Sequence, residues 1–358
     1  MKNKRVLVAM SGGVDSSVAA SLLKEEGYEV IGATMKVWPK EQCLSEKDKS
    51  CCSLKDIEDA KKVCDQLDIK HYVLNFEKVF KEEVIDYFSK EYLKGRTPNP
   101  CIICNEKVKF GSLLKKAQEL EGGYVATGHY ARIEQGETPK LREGVDSSKD
   151  QSYVLCSLKK EQLKRSLFPV GSFKKSEIKE KAKELGLSLF SKPESQEICF
   201  VLDNNYSNFL KEYCGVEPKE GNIIDGSGKI LGKHNGFWNF TIGQRKGLGI
   251  GYKEPLYVIN IDPDKNKITV GVSGEVRKKK FIVKDLNWLD KEDEDFFEAE
   301  VKIRYNTPKR MASVRKIEDK RREVTFIDGE EAITPGQAAC FYDGEYVIGG
   351  GWIERVEG

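Results

Sequence analysis

Short β-branched runs alternate with segments of helical periodicity over the first third of the chain. The predicted strands are residues 5–10, 29–38, 71–76 and 124–128, and the predicted helices are residues 16–26, 54–67 and 107–120. This alternation is typical of a parallel sheet covered by helices on both faces. We therefore predict an α/β N-terminal domain that binds its ligand at the carboxyl ends of the strands.

The remainder of the chain shows two other patterns. Residues 206–273 are rich in glycine and predict a small, mostly-β central module, and the tail from residue 280 has short alternating runs separated by turn residues. Such runs are typical of a β-barrel. We predict three domains: residues 1–204 (catalytic), 205–275 (small central domain) and 276–358 (C-terminal β-barrel).

Composition and charge exclude several classes of protein. Hydrophobic residues make up 39% of the 358 residues, which is too many for a disordered chain, and the net charge of +2 excludes a uniformly basic coat for nucleic acid. No apolar run approaches the roughly 20 residues of a membrane helix. The apolar run 6–10 is too short for a signal peptide, so we expect no membrane association and a cytoplasmic location.

Charge is nevertheless uneven in the tail. Residues 285–300 carry eight acidic residues and one lysine, and residues 302–322 carry nine basic residues and two acidic ones. Two interpretations remain open: two solvated faces, or a phosphate-binding edge that the near-zero total charge conceals.

The most informative segment is Ser-Gly-Gly-Val-Asp-Ser-Ser at residues 11–17, between a predicted strand and a predicted helix. Two adjacent glycines allow a sharp turn and a close approach to a ligand. The N–H groups and dipole at the helix start attract an anion. The three serines add hydroxyl donors, and Asp15 can hold Mg²⁺ or orient phosphates.

This loop lacks the Gly-Lys-Ser/Thr ending of a Walker A loop and the spaced glycines of a dinucleotide fold. It resembles the pyrophosphate loop of ATP pyrophosphatases, which split ATP between the α and β phosphates and adenylate a substrate oxygen. An ordinary glycine turn is the alternative. The loop indicates how ATP is used, but it does not identify the group that attacks the activated carbon.

Three of the ten cysteines stand out by context. Cys101 and Cys104 follow Pro98 and Pro100, and we expect an extended approach to a helix that begins at Asn105. A cysteine near a helix start has its thiolate favoured, and the thiolate is the form that acts as nucleophile or metal ligand. The third, Cys199, lies in Ser-Gln-Glu-Ile-Cys-Phe at residues 195–200.

The other cysteines give weaker signals. We predict that four of them are small buried apolar residues: Cys64, Cys156, Cys214 and Cys340. The last three, Cys43, Cys51 and Cys52, lie in a polar stretch and receive no role.

Six motifs together resemble the tRNA-specific 2-thiouridylase family. They are residues 11–17, Asn-Pro-x-x-x-Cys-Asn at 99–105, Ala-Thr-Gly-His-Tyr at 126–130, Lys-Asp-Gln-Ser at 149–152, residues 195–200, and Phe-Thr-Ile-Gly-Gln-Arg-Lys-Gly at 240–247. The match runs in order over nearly the whole chain. It implies an adenine nucleotide alpha-hydrolase-like first domain and an enzyme that makes 2-thiouridine at the wobble base in the tRNA anticodon loop, with release of AMP and pyrophosphate.

The resemblance also implies site residues. Cys104 would be the first nucleophile and Cys199 the persulfide carrier, with a Cys104–Cys199 disulfide as a product of the reaction. The ATP site would comprise Ala9, Met10, Ser11, Gly12, Gly13, Val14, Asp15, Ser16, Met35 and Gly128, with Mg²⁺ as cofactor. The tRNA contacts would be Asn99, Pro100, Cys101, His129, Lys149, Asp150, Gln151, Arg304, Tyr305 and Gln337. The sulfur would come from a donor protein, either a cysteine desulfurase or a relay protein.

One position departs from the family pattern, since many members have an acidic residue where this chain has Cys101. Cys101, Cys104 and Cys199 would supply three thiolates, the number that holds a 4Fe-4S cluster with one open iron. The persulfide route and the cluster route both remain open at this point. Two other classes of function also remain as alternatives: a ligase or synthetase that shares the pyrophosphate loop, and a non-catalytic RNA-binding adaptor.

Overall fold

The computed structural model describes residues 5–38, 54–187, 198–201, 205–291 and 294–357. The chain divides into two compact units. The first comprises residues 1–85, 101–204 and 345–347, and the second comprises residues 86–100, 205–344 and 348–358. The predicted three-domain boundaries remain a prediction.

The first unit is built on a five-stranded parallel sheet with the strand order β3-β2-β1-β4-β7. Its strands are β1 (Arg5–Ala9), β2 (Glu29–Lys36), β3 (Lys70–Asn75), β4 (Tyr124–Ala126) and β7 (Ser166–Leu167). The central strand β1 is almost entirely buried because it has a neighbour on each side and helices on both faces. Its carboxyl end therefore lies between the carboxyl ends of β2 and β4.

Helices cover this sheet. They are α1 (Val14–Glu25), α2 (Leu54–Gln66), α3 (Glu77–Phe80), α6 (Leu113–Glu119), α7 (Lys160–Leu163) and α8 (Lys175–Glu184), with π-helical turns at Lys81–Ile85 and Cys104–Ser112. Single 3₁₀ turns lie at Ser152–Leu155 and Pro169–Ser172. A hairpin of β5 (Ala131–Glu134) and β6 (Lys140–Glu143) follows β4, and β6 also pairs with Tyr346 and Val347.

The second unit contains a four-stranded sheet with the order β10-β11-β8-β9. The strands are β8 (Gly221–Ile224), β9 (Ile230–His234), β10 (Tyr257–Asp262) and β11 (Lys267–Gly271). Helix α9 (Tyr206–Cys214) precedes them, a 3₁₀ turn lies at Phe237–Asn239, and the short α10 (Ser273–Val276) follows. Helix α4 (Asp86–Leu93) belongs to this unit, and α5 (Pro100–Ile103) begins at its edge.

Six strands of the second unit close into a barrel with the order β12-β15-β14-β13-β16-β17, which β12–β17 pairing completes. They are β12 (Arg277–Trp288), β13 (Phe296–Lys302), β14 (Arg310–Glu318), β15 (Arg321–Glu331), β16 (Ala338–Asp343) and β17 (Tyr346–Glu357). Phe281, Val324, Val314 and Phe297 pair in one row across four strands and are all buried. Closure removes exposed strand edges, and this row fills the interior.

The predicted fold class is confirmed: an α/β domain with a parallel sheet, a small mostly-β module and a C-terminal β-barrel. The alternating runs of the tail, at residues 301–305, 324–327, 338–342 and 346–349, predicted four of the six barrel strands. Strands β12 and β14 were missed, because both are rich in lysine and arginine and lack a clear alternation. In the part of the chain that the structure describes, no helix is long and apolar enough to span a membrane.

Candidate active site

The glycine loop at residues 11–13 lies at the carboxyl end of β1 and leads directly into α1. Gly12 has a φ of +66°, and a Cβ there would lie 2.4 Å from the carbonyl oxygen of Asp56. Gly13 has extended backbone angles and caps α1. The predicted sharp turn therefore depends on Gly12, which has both the left-handed conformation and the close neighbour.

The hydroxyl groups of this loop are partly committed to the loop itself. Ser16 and Ser17 donate to the carbonyl oxygen of Gly13, over 3.1 and 2.9 Å, and the Ser11 and Ser16 hydroxyls lie 3.3 Å apart. Ser17 is completely buried, and Ser11 is exposed. The prediction that all three serines offer donors to a phosphate therefore does not fit Ser17, whose hydroxyl stabilises the turn.

The predicted nucleotide residues gather at one end of the sheet. Ala9 pairs with Ala33 near the end of β2, and the half-buried Met35 lies two residues further along that strand. Met10 is buried, and its carbonyl oxygen accepts a 3.0 Å hydrogen bond from Thr34. Gly128 follows β4 on the other side of β1, as the strand order requires.

Gly128 closely approaches the start of α1. A Cβ at this position would lie 2.7 Å from the carbonyl carbon of Asp15 and 2.8 Å from the backbone nitrogen of Ser16. These distances are shorter than any ordinary carbon contact, so only glycine fits here. The backbone after β4 thus packs directly against the first turn of α1, beside the glycine loop.

Asp15 is the acidic residue of the first turn of α1, and two partners hold its carboxylate. The Lys175 ammonium lies 2.6 Å from one carboxylate oxygen and 2.8 Å from the other, and the hydroxyl of Tyr130 donates to the first over 2.7 Å. The contact of Lys175 with Asp15 was not predicted from the sequence. The only signal for Lys175 is its position at the start of a helix, in a chain where lysines at helix starts are frequent.

The helix that carries Cys104 begins earlier than predicted. Helix α5 starts at Pro100, not at Asn105, and continues directly into the π-helical turn that Cys104 begins. Proline is favoured at the first helical position, since its missing N–H would have no helical partner. The buried Asn105 caps nothing and donates instead to the carbonyl oxygen of Val154 over 2.9 Å.

The earlier helix start changes the position of both cysteines within the helix. Cys101, which is exposed, now lies in the first turn, where the helix dipole favours a thiolate, and Cys104, which is half-buried, lies one turn further along. Residues three apart in a helix share a face, so the two side chains project to the same side.

Cys199 is half-buried and lies in a turn. A 3.0 Å hydrogen bond from the Val201 N–H to the Ile198 carbonyl oxygen closes this turn. The next residue, Phe200, is buried, and its ring packs against Phe80 at 5.9 Å between ring centroids. Phe80 ends α3, which also packs against the helical turn that begins at Cys104. Both predicted catalytic cysteines are thus attached to elements that pack on α3. Residues 195–197 of this motif lie outside the described residues.

Among the residues that the structure describes, no three His, Cys, Asp or Glu side chains are close enough together to hold a metal ion. Cys101, Cys104 and Cys199 are all among them. The three thiolates of a cluster bind three different irons, so the cluster hypothesis remains a prediction.

Several predicted tRNA contacts in the first unit are internal. His129 is buried, its Nδ1 lies 2.6 Å from the Thr127 hydroxyl, and burial together with the Lys109 charge holds its pKa well below the ordinary value. Asp150 is buried and accepts hydrogen bonds from the backbone of Gly144 and from the backbone and hydroxyl of Ser152. These two buried side chains therefore stabilise the loops around them through hydrogen bonds.

The neighbouring residues are more accessible. Lys149 is half-buried, and so is Gln151, whose side-chain oxygen accepts a 2.9 Å hydrogen bond from the Tyr130 N–H. The loop that contains the predicted Lys-Asp-Gln contacts is thus hydrogen-bonded to Tyr130, whose hydroxyl donates to Asp15.

The predicted tRNA contacts of the second unit fall into two groups. Arg304 donates to the Ile242 carbonyl oxygen over 3.0 Å and to the Thr334 hydroxyl, and the adjacent Tyr305 is exposed. Gln337 donates to the carbonyl oxygens of Thr97 and Pro98, immediately before the half-buried Asn99 and the buried Pro100.

The basic run of the tail is largely paired with acidic residues. Arg315 lies opposite Glu323 on the neighbouring strand with an N–O distance of 2.6 Å, and Arg321 lies 2.9 Å from Glu354. Arg322 is buried over the ring of Trp288, and burial lowers its pKa. Much of the positive charge along residues 302–322 is therefore balanced by acidic side chains of the barrel.

The remaining cysteines mostly behave as predicted. Cys64, Cys156 and Cys340 are buried, and burial raises the pKa of the Cys64 thiol to about 12. The prediction was wrong for Cys214, which is only half-buried because it ends α9. Cys43, Cys51 and Cys52 lie outside the described residues.

A parallel α/β sheet with this loop after its central strand defines a nucleotide-binding domain of the ATP-pyrophosphatase type. Family profiles agree: residues 4–203 match one described as a tRNA methyl transferase HUP domain. Residues 207–272 match the corresponding PRC-barrel domain, and residues 278–353 match an aminomethyltransferase beta-barrel domain.

Full-length relatives are more specific. A tRNA-specific 2-thiouridylase MnmA of Geotalea uraniireducens is 50% identical over 99% of this chain and 96% of its own length. Proteins of the same name from Caldanaerobacter subterraneus (MnmA 2) and Clostridioides difficile are 51% and 47% identical, each over 99% of both chains. The chain belongs to the tRNA-specific 2-thiouridylase family.

Solved structures are more distant. A 4-thiouridine synthetase in complex with RNA and ATP is 19% identical, with a TM-score of 0.35 over 58% of this chain and 50% of that one. At this level the similarity carries no functional information.

Proposed function

We propose that this chain is a tRNA-uridine 2-sulfurtransferase, which uses ATP to replace the C2 oxygen of the wobble uridine by sulfur. The observation that carries this proposal is the family membership over the full length of the chain, with all six motifs present. The profile descriptions name methyl transfer, but methyl transfer does not require a loop that serves the cleavage of ATP into AMP and pyrophosphate.

ATP activates the uridine oxygen. A carbonyl oxygen is a poor leaving group, and attachment of AMP makes it a good one. The loop at residues 11–16 and the backbone at Gly128 line the recess proposed to hold the triphosphate, with the nucleotide extending toward Met35. Attack of the uridine oxygen on the α-phosphorus releases pyrophosphate and leaves an adenylated uridine.

The cysteines deliver the sulfur. The terminal sulfur of a Cys199 persulfide attacks C2, and AMP departs with the original oxygen atom. The Cys104 thiolate then attacks the Cys199 sulfur, the S–S bond of the persulfide breaks, and its electron pair forms the thiocarbonyl. A Cys104–Cys199 disulfide remains, and an external thiol must reduce it before the next turnover. In an equivalent order, Cys104 first releases hydrosulfide, which then attacks C2.

Two further groups depend on this chemistry. Mg²⁺ usually binds through one or two carboxylates together with substrate phosphates, and Asp15 offers one such carboxylate beside the loop. A 4Fe-4S cluster would use Cys101, Cys104 and Cys199 as its thiolate ligands, and no step of the persulfide route depends on it.

The reaction requires two macromolecular partners. The tRNA must present its wobble base, and reaching C2 requires the base to leave the anticodon stack at a cost of a few kcal/mol, which contacts to the backbone offset. In this proposal the persulfide on Cys199 comes from a sulfur donor protein, either a cysteine desulfurase or a relay protein.

The products test the proposal. The purified chain is incubated with unmodified tRNA, ATP, Mg²⁺, a cysteine desulfurase with its substrate cysteine, and a thiol reductant, and nucleosides and nucleotides are quantified by mass spectrometry. We expect equal amounts of 2-thiouridine, AMP and pyrophosphate, and no 2-thiouridine from Cys199→Ser. Formation of ADP, or AMP without tRNA thiolation, would support a different ATP-dependent enzyme, and no ATP consumption would support the adaptor alternative.

A further inference from the structure

Lys175 is a charged residue at the nucleotide loop with no assigned role. It lies 160 residues after Asp15 in the sequence, at the start of α8, and both oxygens of the Asp15 carboxylate are within 2.8 Å of its ammonium group. We propose that Lys175 is a positioning residue that neutralises and orients Asp15, so that the loop accepts the polyphosphate of ATP. This inference rests on the proposed function, because it assigns a residue to its ATP site.

The lysine is fixed from several directions. The residue is 8% exposed, which is rare for a lysine unless it is paired. Its ammonium lies 5.5 Å from the ring centroid of Tyr130, and the hydroxyl of the same tyrosine donates to Asp15. The three side chains therefore form one cluster, in which the ammonium contacts both carboxylate oxygens and the hydroxyl donates to one of them.

The backbone of Lys175 is also anchored. Its N–H donates to the carboxylate of Asp146 over 2.9 Å, and this bond, together with bonds from Ser148, lowers the pKa of Asp146. The preceding residue, Lys174, is the N-cap of the same helix, and its side chain is exposed. The helix start thus holds one lysine inward, and its neighbour provides a matched control.

Charge explains why this cluster matters for ATP. The helix N-terminus and the loop attract an anion, but a carboxylate in the first turn of α1 repels one. With Lys175 in place the carboxylate and ammonium together are neutral, and the attraction of the loop prevails. Without the ammonium, Asp15 would present an uncompensated, partly buried negative charge to the phosphates.

A double-mutant cycle on ATP affinity tests this explanation. ATP binding to the full-length protein is measured by calorimetry in the presence of a chelator, so that Mg²⁺ does not contribute. The variants are Lys175→Met, Asp15→Asn, the two combined, and Lys174→Met as control. We expect Lys175→Met to weaken ATP binding about tenfold or more. We expect the double variant to recover to within about threefold of wild type, and Lys174→Met to remain unchanged.

Each result decides the matter. Unchanged ATP affinity in Lys175→Met overturns the inference but leaves the proposed function intact. A loss that Asp15→Asn does not restore also overturns it, since Lys175 would then act on the phosphates or on the fold. If Lys175→Met does not fold, Asp15→Asn alone decides, because it should bind ATP at least as tightly as wild type, and weaker binding contradicts the proposal. No ATP binding by the wild-type protein would overturn the proposed function and this inference with it.

Discussion

The side-chain amide of Gln337 donates hydrogen bonds to the carbonyl oxygens of two consecutive residues, Thr97 at 2.9 Å and Pro98 at 3.1 Å. A 2.9 Å backbone hydrogen bond from Thr97 N–H to the Pro335 carbonyl oxygen reinforces this attachment. The loop that leads to Pro100 is therefore tied to the barrel, and the predicted tRNA contact at Gln337 is also a structural anchor.

We predict that Gln337→Leu lowers the free energy of unfolding by about 1–3 kcal/mol, because two carbonyl oxygens lose their donor. Urea unfolding measures this change, and tRNA affinity is measured in parallel at several salt concentrations. A lower tRNA affinity with unchanged stability would contradict the anchoring role and favour a direct contact with tRNA.

A second prediction concerns the wall of the nucleotide recess. Gly128→Ala should reduce pyrophosphate release at least about tenfold, because the new methyl group would lie 2.7 Å from the Asp15 backbone and displace the loop. The matched control is Gly136→Ala, since a Cβ at that exposed turn meets no atom closer than 3.8 Å. Pyrophosphate release at the wild-type rate in Gly128→Ala would show that the recess does not hold ATP.

His129 gives a prediction about pH. Its pKa in the folded chain lies well below the ordinary 6.5, because burial disfavours the imidazolium. The unfolded chain then binds the proton more readily, so the stabilisation is complete above about pH 6.5 and declines at lower pH by up to about 1.4 kcal/mol per pH unit. Urea unfolding at pH 7.5 and 5.5 measures this decline.

The variant His129→Phe isolates that contribution, since a phenyl ring suits the neighbouring Phe110 and Phe168 and does not titrate. Stability of this variant should fall less than that of wild type between the two pH values. Equal losses would mean that other groups govern the acid sensitivity.

Cys101 separates the two sulfur routes. In the persulfide route this exposed cysteine takes no part in sulfur transfer. Cys101→Ser and Cys101→Asp should therefore both keep thiolation within about threefold of wild type under anaerobic conditions. In the cluster route serine coordinates iron poorly, and activity and iron content should fall together. Loss of both in Cys101→Ser, with retention in Cys101→Asp, would contradict the persulfide route. Cys104→Ser and Cys199→Ser should be inactive in either case.

The sequence predicted those parts of the site whose signals are local. The strand, the two glycines and the helix start that follow one another at residues 5–17 specify the loop without help from the rest of the chain. Lys175 could not be predicted in this way, because its role depends on a contact across 160 residues. The ion pairs of the basic tail could not be predicted for the same reason, since they depend on cross-strand partners, such as Glu323 for Arg315.

The start of the cysteine helix shows a different limit. Two prolines before Cys101 indicate an extended approach, but a proline is equally suited to the first turn of a helix, and the sequence does not distinguish these cases. The structure places the start at Pro100, so the helix dipole favours a thiolate at Cys101 rather than at Cys104. Local signals thus located the motif correctly but not the register of the helix within it.

The central claim is that ATP adenylates the C2 oxygen of the wobble uridine, and an isotope measurement tests it most directly. The tRNA is prepared with ¹⁸O at that oxygen, one turnover is allowed with persulfide-loaded protein, and the AMP is analysed by mass spectrometry. The account predicts that AMP carries one ¹⁸O atom for each 2-thiouridine formed. AMP without ¹⁸O, alongside thiolated tRNA, would contradict it, because the oxygen would then have left the uridine without ever being bonded to the α-phosphorus.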